Sequence, residues 1–161
     1  MPLRRFVFSG LVLAVVALGP GAALGLGKAR TIQTIASGSG IDTIPVRGGS
    51  TFIVDGTANG TLGFATFHVQ GTQTGPTSFT LNETSVFANG TLIQSGIGTD
   101  TGPNTSTVIL TITSGTGRFR DATGSSTVMS TTTPTANPQV RQLTFTSTGT
   151  ITVKGNLKPV S

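Results

Sequence analysis

The sequence contains no cysteine, no tryptophan and no tyrosine, a single histidine, and only 9% charged residues over 161 positions. Without cysteine there is no disulfide framework, no thiolate chemistry and no cysteine-based zinc site. A metal site built on His68 alone would have to recruit carboxylates from scattered positions, so no metal is assigned. No Gly-x-Ser-x-Gly elbow is present to carry a hydrolytic serine. No Gly-x-x-x-x-Gly-Lys-(Ser/Thr) loop is present to cradle phosphate, and no cofactor is implied. The bases form no run and have no tyrosine or tryptophan interleaved with them, which argues against a nucleic-acid partner. The same lack of aromatic girdles argues against an outer-membrane barrel.

The formal charge of +5 reflects the scarcity of acids rather than an abundance of bases. Two of the bases, Arg4 and Arg5, precede an apolar run from Phe6 to Leu18, which is followed by Gly19-Pro20 and the small residues Gly21 to Gly25. This order of basic, apolar and small-residue regions is that of an export signal. A retained membrane anchor is the competing reading. Gly19-Pro20 would break a spanning helix, and the strongly apolar part is only about a dozen residues long, so the cleaved signal is favoured. The expectation is a signal peptide over residues 1–25 and a single secreted or periplasmic domain over 26–161, with no membrane span after cleavage. Removing Arg4 and Arg5 lowers the net charge from +5 to +3.

What the chain has in abundance is threonine, 31 residues, and glycine, 23. Both disfavour helix interiors, and the composition points to an all-β protein. From Arg30 onward, short β-type runs alternate with Gly/Pro/Asn/Asp turns. The runs are Thr31–Ile35, Ser50–Val54, Thr61–Gln70, Thr77–Phe87, Thr91–Gly98, Thr105–Ser114, Ser125–Thr133, Val140–Ser147 and Gly149–Lys154. The Gly/Ser-rich stretch 36–49 reads as a loop, as does Pro134–Pro138. Ala58-Asn59-Gly60-Thr61-Leu62 recurs as Ala88-Asn89-Gly90-Thr91-Leu92, and each copy is followed by a Gly-Pro turn. Asn-Gly is the signature of a two-residue hairpin turn, so both copies predict hairpins. Eight or nine consecutive strands without helices must hide their edges. An eight-stranded antiparallel up-and-down barrel does so, with a sandwich as the alternative.

Between two of the runs lies Gly115-Thr116-Gly117-Arg118-Phe119-Arg120-Asp121-Ala122-Thr123-Gly124-Ser125. Its glycines permit a tight or left-handed backbone, and Phe119 and Ala122 are placed to tuck inward as a plug. The segment resembles the Gly-x-Gly-(Arg/Lys)-(Phe/Tyr)-x-x-Ala-x-Gly hairpin of the allene oxide cyclase/dirigent superfamily. The strand from Leu143 through Val153 looks like that family's closing strand. The resemblance implies an eight-stranded barrel, often a homotrimer, whose lumen can hold an apolar substrate. It carries over Gly115, Gly117, Phe119, Ala122 and Gly124 as fold-defining residues. The absence of tyrosine removes phenol-based positioning from any inherited cyclase or coupling chemistry.

Strand alternation picks out the candidate site. Phe79, Leu81, Glu83 and Phe87 share one face of their run, and Arg141, Leu143 and Phe145 share one face of theirs. If both faces point inward, Phe79, Leu81, Phe87, Leu143 and Phe145 would bind an apolar ligand, and Glu83 and Arg141 could meet among them. A carboxyl group in an apolar pocket can act as acid or base, and a buried arginine can polarise an oxygen. The bland alternative is that both sit near strand ends and reach solvent. His68 reads as a surface or rim residue, and Asp121 as an ion-pair partner of Arg118 or Arg120. The Thr-x-Thr pairs read as solvent faces of strands, because their spacing is too irregular for a ranked lattice. Three functions follow: a barrel binding a small apolar ligand, an isomerase or cyclase acting by confinement with Glu83 and Arg141 as catalytic residues, or a structural barrel packed shut.

Overall fold

The computed structural model describes residues 28–44 and 49–154. The expected signal segment lies outside these residues, as does its expected cleavage site near Gly25. Eight strands follow one another: β1 (Ala29–Thr43), β2 (Thr51–Gly60), β3 (Ala65–Gln73), β4 (Ser78–Phe87), β5 (Gly90–Gly102), β6 (Thr105–Gly115), β7 (Thr123–Pro134) and β8 (Val140–Lys154). Each pairs antiparallel with the next, and β8 returns to pair with β1, closing an up-and-down barrel. The sandwich alternative is thereby excluded. No helix among the described residues is long and apolar enough to cross a membrane.

Two of the nine sequence runs merge: Val140–Ser147 and Gly149–Lys154 form the continuous β8. Gly149 is not a break. Its Cα faces the β7 backbone at Ser125 and Ser126 so closely that no side chain would fit. A larger difference is at the start of the barrel. The stretch 36–49, expected as a loop, continues β1 to Thr43. Its Gly38 and Gly40 are inward positions of the strand, where the neighbouring chain and the Phe145 ring occupy the space of a Cβ. The Asn-Gly turns are also displaced. Asn59 and Gly60 are the last residues of β2, and the bend falls on Thr61–Phe64. Gly90 is already the first residue of β5, opposite Phe87, so Ala88-Asn89 make that turn. The Gly-Pro turns lie at strand junctions as expected, with Pro103 between β5 and β6.

Most strand threonines face outward, although Thr34 and Thr132 line the lumen. Every outward position of β8 from Thr144 to Thr152 is threonine, flanked across β7 by Thr131, Thr127 and Thr123. Along β8 the row follows sequence period two, but across β7 Met129 and Ser125 interrupt it opposite Thr146 and Thr150, so this is a threonine-rich strand face and not a two-dimensional lattice. Thr31 and Thr152 share a hydroxyl–hydroxyl hydrogen bond of 2.6 Å on this face.

The interior divides into two apolar layers. The floor comprises Leu92, Phe119, Ala122, Ile151 and Val153, with Ile32, Leu62, Phe87 and Ile112 against them. Phe119 is 0% exposed and enters from a single 3₁₀ turn, Gly117–Phe119, in the β6–β7 connection. The turn needs its glycines. Gly117 adopts φ 57°, and a Cβ on Gly115 would strike the Phe119 carbonyl. Arg118 lies over the Phe119 ring at 4.6 Å and donates to the Leu62 carbonyl, which ties this plug to the β2–β3 bend. The upper layer is a belt of Val54, Phe67, Val69, Phe79, Leu81, Val108 and Leu110, joined by Phe52, Leu143 and Phe145.

Candidate functional site

Each phenylalanine of the belt sits directly across from a glycine on the adjacent strand: Phe52 from Gly71, Phe67 from Gly56, Phe79 from Gly98 and Phe145 from Gly38. In all four pairs the ring occupies the space that a Cβ would need. The rings therefore lie against the wall instead of projecting across the bore. Phe52 meets Phe79, and Phe67 meets Phe145, edge to face, both at 5.4 Å. The result is a cavity of about 730 Å³ that runs from the floor to Ile44 and Gly49 after β1 and to Pro103 and Asn104 after β5.

Phe79, Leu81, Leu143 and Phe145 line this cavity as part of the belt. Phe87 also lines it, but it packs on the plug, with its ring 4.8 Å from that of Phe119. Glu83 and Arg141 both face the lumen. They are not brought together. The Glu83 Oε1 accepts hydrogen bonds from the Ser85 hydroxyl at 2.6 Å and the Gln94 amide at 3.3 Å. Burial raises the Glu83 pKa above the ordinary glutamate value, and the two hydrogen bonds only partly oppose that rise. No partner of Oε2 is found among the described residues. The carboxyl group thus presents a free oxygen to the lumen from an anchored position.

Arg141 lies opposite Asp42 of β1. Asp42 is 9% exposed, and its buried Oδ1 has no hydrogen-bond partner among the described residues. Burial raises its pKa, and the positive charge of Arg141 partly offsets the rise. Sequence reasoning missed Asp42 because its strand was read as a loop. Alternation carried on from Ile32 through Thr34 and Ala36 would have placed it on the inner face.

His68 points outward from β3, and its Nδ1 is hydrogen-bonded to Asp55 Oδ1 of β2 at 2.6 Å, the only such acid–base pair among the described residues. The expected pairing of Asp121 with Arg118 or Arg120 does not form. Asp121 instead adopts φ 59° to turn the chain into β7, and Arg118 stacks on the plug. Among the described residues no cluster of three or more acidic or histidine side chains is arranged to hold a metal ion. Gly115, Gly117, Phe119, Ala122 and Gly124 all belong to the plug and its approaches, where their role is to close the floor.

A scan against protein-family models finds no matching family, and a search of curated proteins finds no match.

Proposed function

We propose that this protein binds a small, largely apolar molecule inside its barrel, in the manner expected of an allene oxide cyclase/dirigent-type lumen. The observation that carries this reading is the cavity of about 730 Å³ behind the phenylalanine belt. Folded interiors are close-packed and hold few voids larger than a water molecule. A volume of this size falls in the ~300–1,000 Å³ range of small-molecule sites. A structural barrel would fill it, and four glycines are spent here on keeping the rings out of it. The site of action is outside the cytoplasm on the strength of Arg4-Arg5 and the apolar run that follows.

Native mass spectrometry before and after solvent extraction tests this reading and reports assembly state, including the trimer implied by the resemblance. An extractable small-molecule mass, or saturable uptake of an uncharged naphthylamine dye by the extracted protein, supports it. A bare mass together with no dye uptake overturns it in favour of the packed structural barrel.

Glu83 favours a second reading, an isomerase or cyclase acting by confinement. Its anchored carboxyl group, with a raised pKa and a free oxygen in an apolar cavity, suits proton transfer to a bound oxygen or carbon. Under this reading Glu83→Gln abolishes turnover of a bound substrate and leaves dye uptake intact. Retained turnover would remove Glu83 from the chemistry.

A further inference from the structure

We infer that the ligand carries a neutral polar head with a hydrogen-bond donor beside an acceptor, seated between Asp42 and Arg141, with a primary carboxamide as its simplest form. This rests on the lumen-binding reading and names the chemistry of one end of the ligand. The first observation is the unpartnered Asp42 Oδ1, buried in the cavity wall. Buried acceptors without a donor are rare in folded proteins because the lost hydration is not replaced.

The second observation is the side chain across from it. Arg141 faces Asp42 in register on the neighbouring strand and lines the same cavity, yet the two form no ion pair. The obvious internal donor therefore leaves Oδ1 unmet, and the guanidinium keeps donors of its own for an incoming group. The wall thus offers an acceptor on β1 and donors on β8.

Charge selects among the heads that fit. Asp42 and Arg141 together are neutral, so a charged head would leave a net charge in a poorly hydrated site. A carboxamide N–H donates to the Asp42 carboxylate, whose occluded Oδ1 turns into the lumen to meet it, while the carbonyl accepts from the Arg141 guanidinium, and no net charge results. The layout of the lumen then fixes the rest of the ligand. Leu143 and Phe145 follow Arg141 on the same face of β8, and Val54 lies opposite Asp42 on β2. An apolar tail attached to the head runs along these residues into the belt.

The test displaces the uncharged naphthylamine dye from the whole protein with decanamide, methyl decanoate and decanoate. The proposal expects decanamide to bind about tenfold or more tighter than the ester, as one hydrogen bond to a charged group allows, and tighter than decanoate. It expects Asp42→Ala to bring the amide-to-ester ratio to about one while ester affinity holds, which also reports that the variant is folded. Asp42→Val, which puts an apolar β-branched side chain at the same strand position, is the second variant, with the same expectation, should Asp42→Ala fail to fold. Equal binding of amide and ester in the native protein, or decanoate binding as tightly as the amide, overturns this inference and leaves lumen binding standing. Uptake of neither the dye nor any of the three compounds overturns lumen binding itself, and the inference with it.

Discussion

If the belt rings stay at the wall because glycine faces them, then adding one methyl group should move a ring into the bore. Gly98→Ala is, with Gly71→Ala, a clean case, because the atoms nearest its added Cβ all belong to the Phe79 ring and none to the backbone. Two of them lie well inside the 3.0 Å that real Cβ atoms respect. Gly98 needs no left-handed backbone, so alanine fits the strand conformation. Two opposed effects follow. Overpacking a core position typically costs about 1–3 kcal/mol. Replacing glycine at a compatible backbone position returns about 0.4–1 kcal/mol by restricting the unfolded chain. Because the lumen gives the ring somewhere to go, the penalty belongs in the lower half of that range, about 1.5–2 kcal/mol, and a net loss of about 1 kcal/mol is expected in urea unfolding. In a Phe79→Leu background the ring is gone and only the chain-restriction effect remains. Gly98→Ala should there be neutral or stabilising by up to about 1 kcal/mol. The double-mutant cycle should therefore show a coupling of about 1–2 kcal/mol, and Gly98→Ala alone should weaken dye uptake by narrowing the bore. Additive single-mutant effects with unchanged dye uptake would refute the claim that the glycines hold the lumen open.

Phe119→Ala should cost about 3–5 kcal/mol in the same unfolding assay, since it empties a fully buried site under the floor; a loss below about 1 kcal/mol would mean the plug does not close the barrel. Glu83 has a folded-state pKa above its unfolded value, so the folded protein holds its proton more tightly and stability falls as pH rises from the ordinary glutamate range through that raised value. Glu83→Gln removes this dependence while keeping an amide oxygen for Ser85 and Gln94. Its stability relative to the native protein should thus grow from acid to neutral pH in thermal melts; a difference that does not vary with pH would refute the assignment. His68→Ala should change stability by under about 1 kcal/mol, because the pair with Asp55 is solvent-exposed, and a loss above about 2 kcal/mol in urea would show that this pair supports the barrel wall.

Much of this architecture was legible because local alternation and barrel closure carry the same information. Phe79, Leu81 and Glu83 could be assigned to one face from period two alone, and the structure places that face inward. The plug was legible from Phe119 and Ala122 set among glycines. What failed was the interpretation of glycine. Gly38, Gly40 and Gly60 were read as chain punctuation, but here they are flat spots in the wall. That misreading hid the second half of β1 and, with it, Asp42. The partner of Arg141 was beyond local pattern altogether, because the register between β1 and β8 joins segments from opposite ends of the domain. Glu83 shares the lumen-facing side of β4 with Phe79 and Leu81, but its anchors Ser85 and Gln94 are polar and follow from side-chain packing within β4 and across to β5.

The seam between β1 and β8 also determines when this fold can exist. All fifteen residues of β1 pair with β8, across gaps of 97 positions (Thr43 to Val140) to 125 (Ala29 to Lys154). Every other strand pair joins neighbours in sequence and can form early as a local hairpin. Closure is therefore the late and slow event, and as the chain is made β1 must wait with a bare edge until β8 arrives. A chain stopped short of Val140 is a seven-stranded ribbon with two unpaired borders, the kind of species that recruits further copies of itself. The wait is a property of the connectivity, and no substitution inside the lumen shortens it.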